Sequence, residues 1–179
     1  MPRLVLLVLL AMAAATVLAS FAAVQPAQAA LPGTNGKIAF SSVRDSNPQI
    51  FTMNAEGSNL VNLSNDPAAF DDLPAWSPDG KKIVFEGLMD SDNGGSSVGD
   101  IYVMDTDPAT DDATNLTNSP EDEFDPAFSP DGKKIAFQSD RDGNEDIFMI
   151  NADGTGQINL TKLSPKNDTQ PDWQPIKKG

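Results

Sequence analysis

The segment PAWSPDGKKIVF, from Pro74 to Phe85, returns as PAFSPDGKKIAF from Pro126 to Phe137. Its first half recurs as PDWQP, Pro171 to Pro175, and its second half stands early as TNGKIAF, Thr34 to Phe40. Two full copies flanked by two complementary halves describe a repeat protein entered out of phase. No other feature constrains the fold as much, because a repeat unit buries its apolar surface only by stacking on its neighbours.

Other landmarks recur with the same phase. Ile38, Ile83 and Ile135 open the triplets IAF, IVF and IAF; Ile50, Ile101 and Ile147 open IFTM, IYVM and IFMI. Asn62, Asn115 and Asn159 open NLS, NLT and NLT, and Trp76, Phe128 and Trp173 follow Pro-Ala or Pro-Asp. The period is 45 residues in the first unit and 52 in the second, with units at about 34–78, 79–130 and 131–175. Four short segments per unit, rich in Ile, Val, Phe, Tyr, Trp and Thr and bounded by Gly, Pro, Asn or Asp, read as β-strands. The fold class is all-β: propeller blades of four antiparallel strands, about three per chain. Ser77-Pro78-Asp79-Gly80 and Ser129-Pro130-Asp131-Gly132 carry the residues of type I turns, so their aspartates are read as turn formers.

Composition removes several chemistries. The chain has no histidine and no cysteine and a formal charge of −14. Disulfides, zinc sites built on Cys or His, and Ser-His or Cys-His catalysis are excluded by inventory. An acidic surface also argues against nucleic acid as a partner. Residues 1–29 read as a signal peptide: Arg3, an uncharged apolar run from Leu4 to Val24, then Ala27-Gln28-Ala29 as the small-x-small cleavage site. The competing reading is an uncleaved membrane anchor. Cleavage leaves residues 30–179 as a periplasmic or secreted repeat domain.

SPDGKKIAF, SDRDGNEDIFMINADG and NLT together resemble the TolB-like β-propeller repeat, a relative of the WD repeat, over nearly all of residues 34–175. The resemblance implies an order within each blade: PAW innermost, then IAF, then IFMI, with NLT at the rim. TolB-like proteins place a separate α/β domain ahead of a six-bladed propeller and act in the cell envelope. The expectation here is a short member with about three repeats and without that leading domain. Three blades do not close a ring. The unpaired halves, TNGKIAF and PDWQP, suggest a homodimer in which two chains complete a six-bladed ring; the alternative is an open arc or a truncated gene.

In such a blade two sets of loops share one face, and that face collects 17 of the 26 acids. One set carries Asp45, Asp90, Asp92, Asp100, Asp140, Asp142, Glu145 and Asp146. The other carries Asp66, Asp71, Asp72, Glu121, Asp122, Glu123, Asp125, Asp168 and Asp172. Lys81-Lys82 and Lys133-Lys134 fall on the opposite face. A field of this sign suits cations or a basic protein partner. Asp140, Asp142, Asn144 and Asp146 alternate oxygen-bearing residues as calcium loops do, although the bidentate Glu at position 12 of such loops is missing. Calcium is therefore the only cofactor considered, in a calcium-stabilised structural module.

Catalytic signals do not accumulate. Gly95-Ser96-Ser97-Val98-Gly99 matches G-x-S-x-G, but it lies between strands in a chain without histidine, so it is read as a flexible loop. A carbohydrate-binding or glycosidase-like propeller needs only paired carboxylates. Asp72, Asp125 and Asp172 lie near the inner strands, while Phe70 and Phe124, the aromatics closest to the face, are expected to pack. The three NLS or NLT sequons recur as a structural element. The reading is an exported, non-enzymatic β-propeller that presents an acidic loop face to a protein.

Overall fold

A computed structural model describes residues 35–44, 46–66, 68–88, 98–108, 110 and 113–175. The signal segment 1–29, Asp45, Asp90, Asp92 and residues 95–97 of the G-x-S-x-G loop lie outside them. The described strands are β1 (Ile38–Val43), β2 (Pro48–Met53), β3 (Val61–Asn62), β4 (Phe70–Trp76), β5 (Lys82–Leu88) and β6 (Gly99–Asp105). They continue with β7 (Thr114–Asn115), β8 (Glu123–Phe128), β9 (Lys134–Ser139), β10 (Asp146–Asn151) and β11 (Ile158–Asn159).

Three antiparallel sheets follow in chain order: β1-β2-β3, then β4-β5-β6-β7, then β8-β9-β10-β11. Partial propeller blades are thus the architecture, with PAW and PAF on inner strands and NLT opening the rim. Equivalent residues face one another in each sheet: Phe40 opposite Phe51, Phe85 opposite Tyr102, Phe137 opposite Phe148. All three pairs stack, with ring centroids 6.0, 5.8 and 5.8 Å apart. Cross-strand aromatic pairs of this kind hold register in a sheet.

Turn chemistry behaves as the sequence implies. Gly80 N–H bonds the Ser77 carbonyl at 2.9 Å and Gly132 N–H that of Ser129 at 2.8 Å. The Ser77 and Ser129 hydroxyls accept Lys82 and Lys134 N–H and donate to Asp79 and Asp131. Those hydroxyls hold both turn carboxyls below their usual range.

Because side chains alternate along a strand, the middle sheet serves two cores. Val84, Ile101 and Val103 pack with Phe128, Ile135, Phe137, Phe148 and Ile150 of the third sheet. Ile83, Phe85, Tyr102 and Met104 point the other way, to Ile50 and Leu63 of the first. The two ends of the arc differ from this middle. β1 is only partly buried along its length, whereas its equivalents β5 and β9 are mostly buried. Among the described residues β1 pairs with β2 alone. Pro171–Gln174, expected as an inner strand, lies in no strand. It rests against the third blade instead, with Trp173 Nε1 donating to the Ala127 carbonyl at 3.1 Å. A strand needs a ladder partner, and none of the described residues offers this segment one.

Phe137 is fully buried at the centre of the larger core. Its replacement by alanine should cost about 3–5 kcal/mol, read as a lower urea midpoint at unchanged slope.

Candidate functional site

Each inner strand meets a proline that cannot donate to the ladder. The register of β4 against β5 shifts between Asp72 and Ala75, and that of β8 against β9 between Phe124 and Ala127. The residue before each proline takes the strain: Leu73, Asp125 and Gln170 have φ of 51°, 50° and 56°. Left-handed backbone is costly at a non-glycine residue, and a following proline disfavours it further. With Pro74, Pro126 and Pro171 they line an open recess of about 250 Å³ where the inner strands converge. These bulges were not among the expectations from the residues, although a proline inside each inner strand is the sequence signal that locates them.

Asp125 lines this recess, and its charge acts together with those of Asp72 and Asp122 on Glu86. Asp72 Oδ1 accepts Leu73 N–H at 2.8 Å and also the Ser41 hydroxyl, which ties β4 to β1. Asp122 Oδ1 accepts Gly99 N–H at 2.8 Å. Half-buried Glu86 on β5 registers the resulting field. Its pKa is pushed up to about 7, first by burial and then by the charges of Asp72, Asp125 and Asp122.

The expected acidic face is therefore thinner than a count of its residues suggests. Asp71, Asp100, Glu123 and Asp146 are buried inside the blades. Asp100 accepts Asn115 Nδ2 and the Thr117 hydroxyl, both at 2.8 Å, while Thr117 Oγ1 accepts Ile101 N–H at 3.0 Å. Asp146, Asn159, Thr161 and Ile147 repeat the arrangement. In the first blade Gln49 stands in for the acid and accepts Asn62 Nδ2. The NLS and NLT elements thus tie the rim to the start of the third strand.

Glu123 is completely buried and meets Arg141 Nη2 at 2.7 Å. Arg141 also receives the Phe148 ring, its guanidinium carbon 4.6 Å from the centroid, and donates through Nε to Ser139 at 3.0 Å. The equivalent in the second blade is Asp71, where the sequence has Met89 in place of the arginine. Asp71 is accordingly pushed up to about 6 by burial, opposed by a hydrogen bond from Ser64 and reinforced by Asp66. In the first blade Arg44 takes the same stacked position, 4.9 Å over Phe51.

Of the calcium-loop residues, Asp146 is buried in the blade while Asp140 and Asp142 are exposed. Asp146 accepts Asn144 Nδ2 at 2.9 Å and Asn159 Nδ2 at 2.7 Å, and Asp142 accepts Asn159 Nδ2 at 2.8 Å. The Asp140 carbonyl closes a turn onto Gly143 N–H. Among the described residues no group of three or more acidic side chains is placed to hold a metal. Phe70, expected to pack, is 42% exposed because it stands at the first residue of β4.

No protein-family model matches the chain. An uncharacterized protein of Agrobacterium fabrum is 35% identical over 56% of this chain and 30% of its own length. A TolB homolog of Chlorobium luteolum is 30% identical over 72% of this chain and 27% of its own. A solved TolB-type structure from Agrobacterium tumefaciens superposes with a TM-score of 0.61 at 30% identity, covering 74% of this chain and 44% of that one. The chain spans less than a third of the length of these curated relatives.

Asp71 gives a pH signature. An unfolded aspartate titrates near 3.9, so between about pH 4 and 6 the folded state holds the extra proton and stability falls as pH rises through that window. Asp71→Asn should raise stability at pH 7 by roughly 1–3 kcal/mol and change it little near pH 4, as measured by urea unfolding at both values.

Proposed function

We propose, from the premise that this chain is a TolB-like β-propeller repeat protein, that it is an exported, non-enzymatic module whose acidic recess binds a basic protein segment. The observation that carries this reading is Glu86, held at about 7 by burial and by Asp72, Asp125 and Asp122. A carboxyl raised by its neighbours marks excess negative potential, and a basic ligand relieves it. The strained pre-proline bulges support the same place, since strain of this kind persists where a structure serves a site. Export follows from residues 1–29, and among the described residues no helix is long and apolar enough to cross a membrane. Arg141 is engaged by Glu123, so its charge is spent inside the third blade.

A second reading takes the same carboxylates as a carbohydrate-acting pair. Glu86, pushed up to about 7 by burial and by Asp72, Asp125 and Asp122, has the character of a general acid. Turnover of an oligosaccharide panel, lost in Glu86→Gln, would favour that reading over protein binding.

The test of the first is affinity capture from envelope extract, followed by calorimetry with the captured partner. Reversing Asp122 and Asp125 to lysine should weaken binding at least about tenfold, with wild-type affinity falling as salt rises. Affinity should also fall between pH 8 and pH 6 as Glu86 takes up its proton, and Glu86→Gln should flatten that dependence. Replacement of Lys81 and Lys133 should have no effect; equal losses on both faces would refute the assignment.

A further inference from the structure

Two tryptophans occupy equivalent positions on inner segments, and their indole N–H groups have different fates. Trp173 Nε1 bonds the carbonyl of Ala127, which lies on the inner strand of the preceding blade. Trp76 Nε1 is buried and has no partner among the described residues. Phe128, the equivalent residue of the third blade, has no N–H to satisfy. The missing acceptor for Trp76 is the carbonyl that an inner strand beside β1 would supply, and among the described residues that edge of β1 is unpaired. Arg44 shows the same gap. It stacks on Phe51 as Arg141 stacks on Phe148, yet among the described residues it pairs with no carboxylate, whereas Arg141 has Glu123.

One segment of this chain answers all three demands. Aligned on its proline, Asp168-Thr169-Gln170-Pro171-Asp172-Trp173 corresponds in position to Glu123-Phe124-Asp125-Pro126-Ala127-Phe128, with an acid at the first position and an aromatic at the last. The pairing of β8 with β9, Ala127 opposite Ala136 and Phe128 opposite Ile135, then sets a register. Asp172 falls opposite Ala39 and Trp173 opposite Ile38. The Asp172 carbonyl meets Trp76 Nε1, and Asp168 takes the place of Glu123 opposite Arg44. Within one chain this segment is already held at the far side of the third blade by Trp173 and by Gln170 N–H on Gln138.

We propose that the inner strand beside β1 is Asp168–Trp173 of a second copy, and that two copies exchange this strand reciprocally around a two-fold axis. Each donated strand keeps its tryptophan on its own third blade while its backbone completes the other copy's first blade. The contact is isologous, and its repetition closes the arc into a ring. Asp168, Trp76 and Arg44 become recognition residues, with the six-residue edge of β1 supplying the ladder, a mode of strand addition known for extended segments.

The chain has no cysteine, so disulfide trapping reads the register directly. The full exported chain carrying Ala39→Cys and Asp172→Cys should oxidise to a covalent dimer, and Ala39→Cys with Gln174→Cys should do so far less. Light scattering should give twice the monomer mass. Trp76→Phe, which keeps the ring and removes the N–H, should raise the dimer dissociation constant roughly tenfold or more, since one hydrogen bond is lost at each of two junctions. Arg44→Glu and Asp168→Arg should each dissociate the dimer, and the two together in one chain should restore it. A monomer at about 100 µM, a disulfide formed within one chain, equal trapping of both cysteine pairs, or no rescue by the double charge swap would each overturn the proposal. Circular dichroism of every variant separates misfolding from dissociation, and the cysteine pairs remain informative if a charge variant fails to fold.

Discussion

The middle sheet of this protein is apolar on both faces, and the stacking of its neighbours depends on that. A sheet with one wet face alternates cleanly between apolar and polar residues; β5 and β6 do not, because Ile83, Phe85, Tyr102 and Met104 serve one neighbour and Val84, Ile101 and Val103 the other. Stacking of blades is the only arrangement that covers both faces. It makes the middle of the arc well buried and its ends dependent on whatever lies beside them. The stacked aromatic pairs, one per blade at the same register, transmit this packing from strand to strand within each sheet.

Much of this was legible in the residues. The repeated apolar triplets placed the second strands, and Ser-Pro-Asp-Gly placed the turns because proline, serine and glycine each have one position they suit. The phase of the repeats also indicated which strand each sheet would have innermost, and hence that the first blade would show three described strands. What the sequence did not reveal is how the acids divide. Spacing assigns Asp71, Asp100, Glu123 and Asp146 to loops or strand tips on one face, but burial depends on the neighbouring rim and on Arg141. Asp146 is hidden because Asn159 and Thr161, thirteen and fifteen residues later, fold back onto it. Such contacts are three-dimensional and leave little trace in local composition.

That division changes the character of the face. The buried acids are consumed by the blades, bonded to amide, hydroxyl or guanidinium groups of their own or a neighbouring blade, and at the arginine position of the second blade the sequence has Met89. Of the remaining acids, Asp72, Asp122 and Asp125 add their charge to the burial that raises Glu86. A recess built from prolines and left-handed residues is stiff, so its carboxylates are held apart by the fold and do not relax by moving away from one another.

The rim strands β3, β7 and β11 are each two residues long, and each is followed at once by a side-chain-bonded turn at Asn62, Asn115 or Asn159. An edge this short offers a foreign chain almost no ladder to extend, and edge pairing is how β proteins aggregate. Lateral growth into fibrils is thereby blocked at the periphery of every blade. That blunt perimeter confers colloidal safety on a molecule built from stacked sheets.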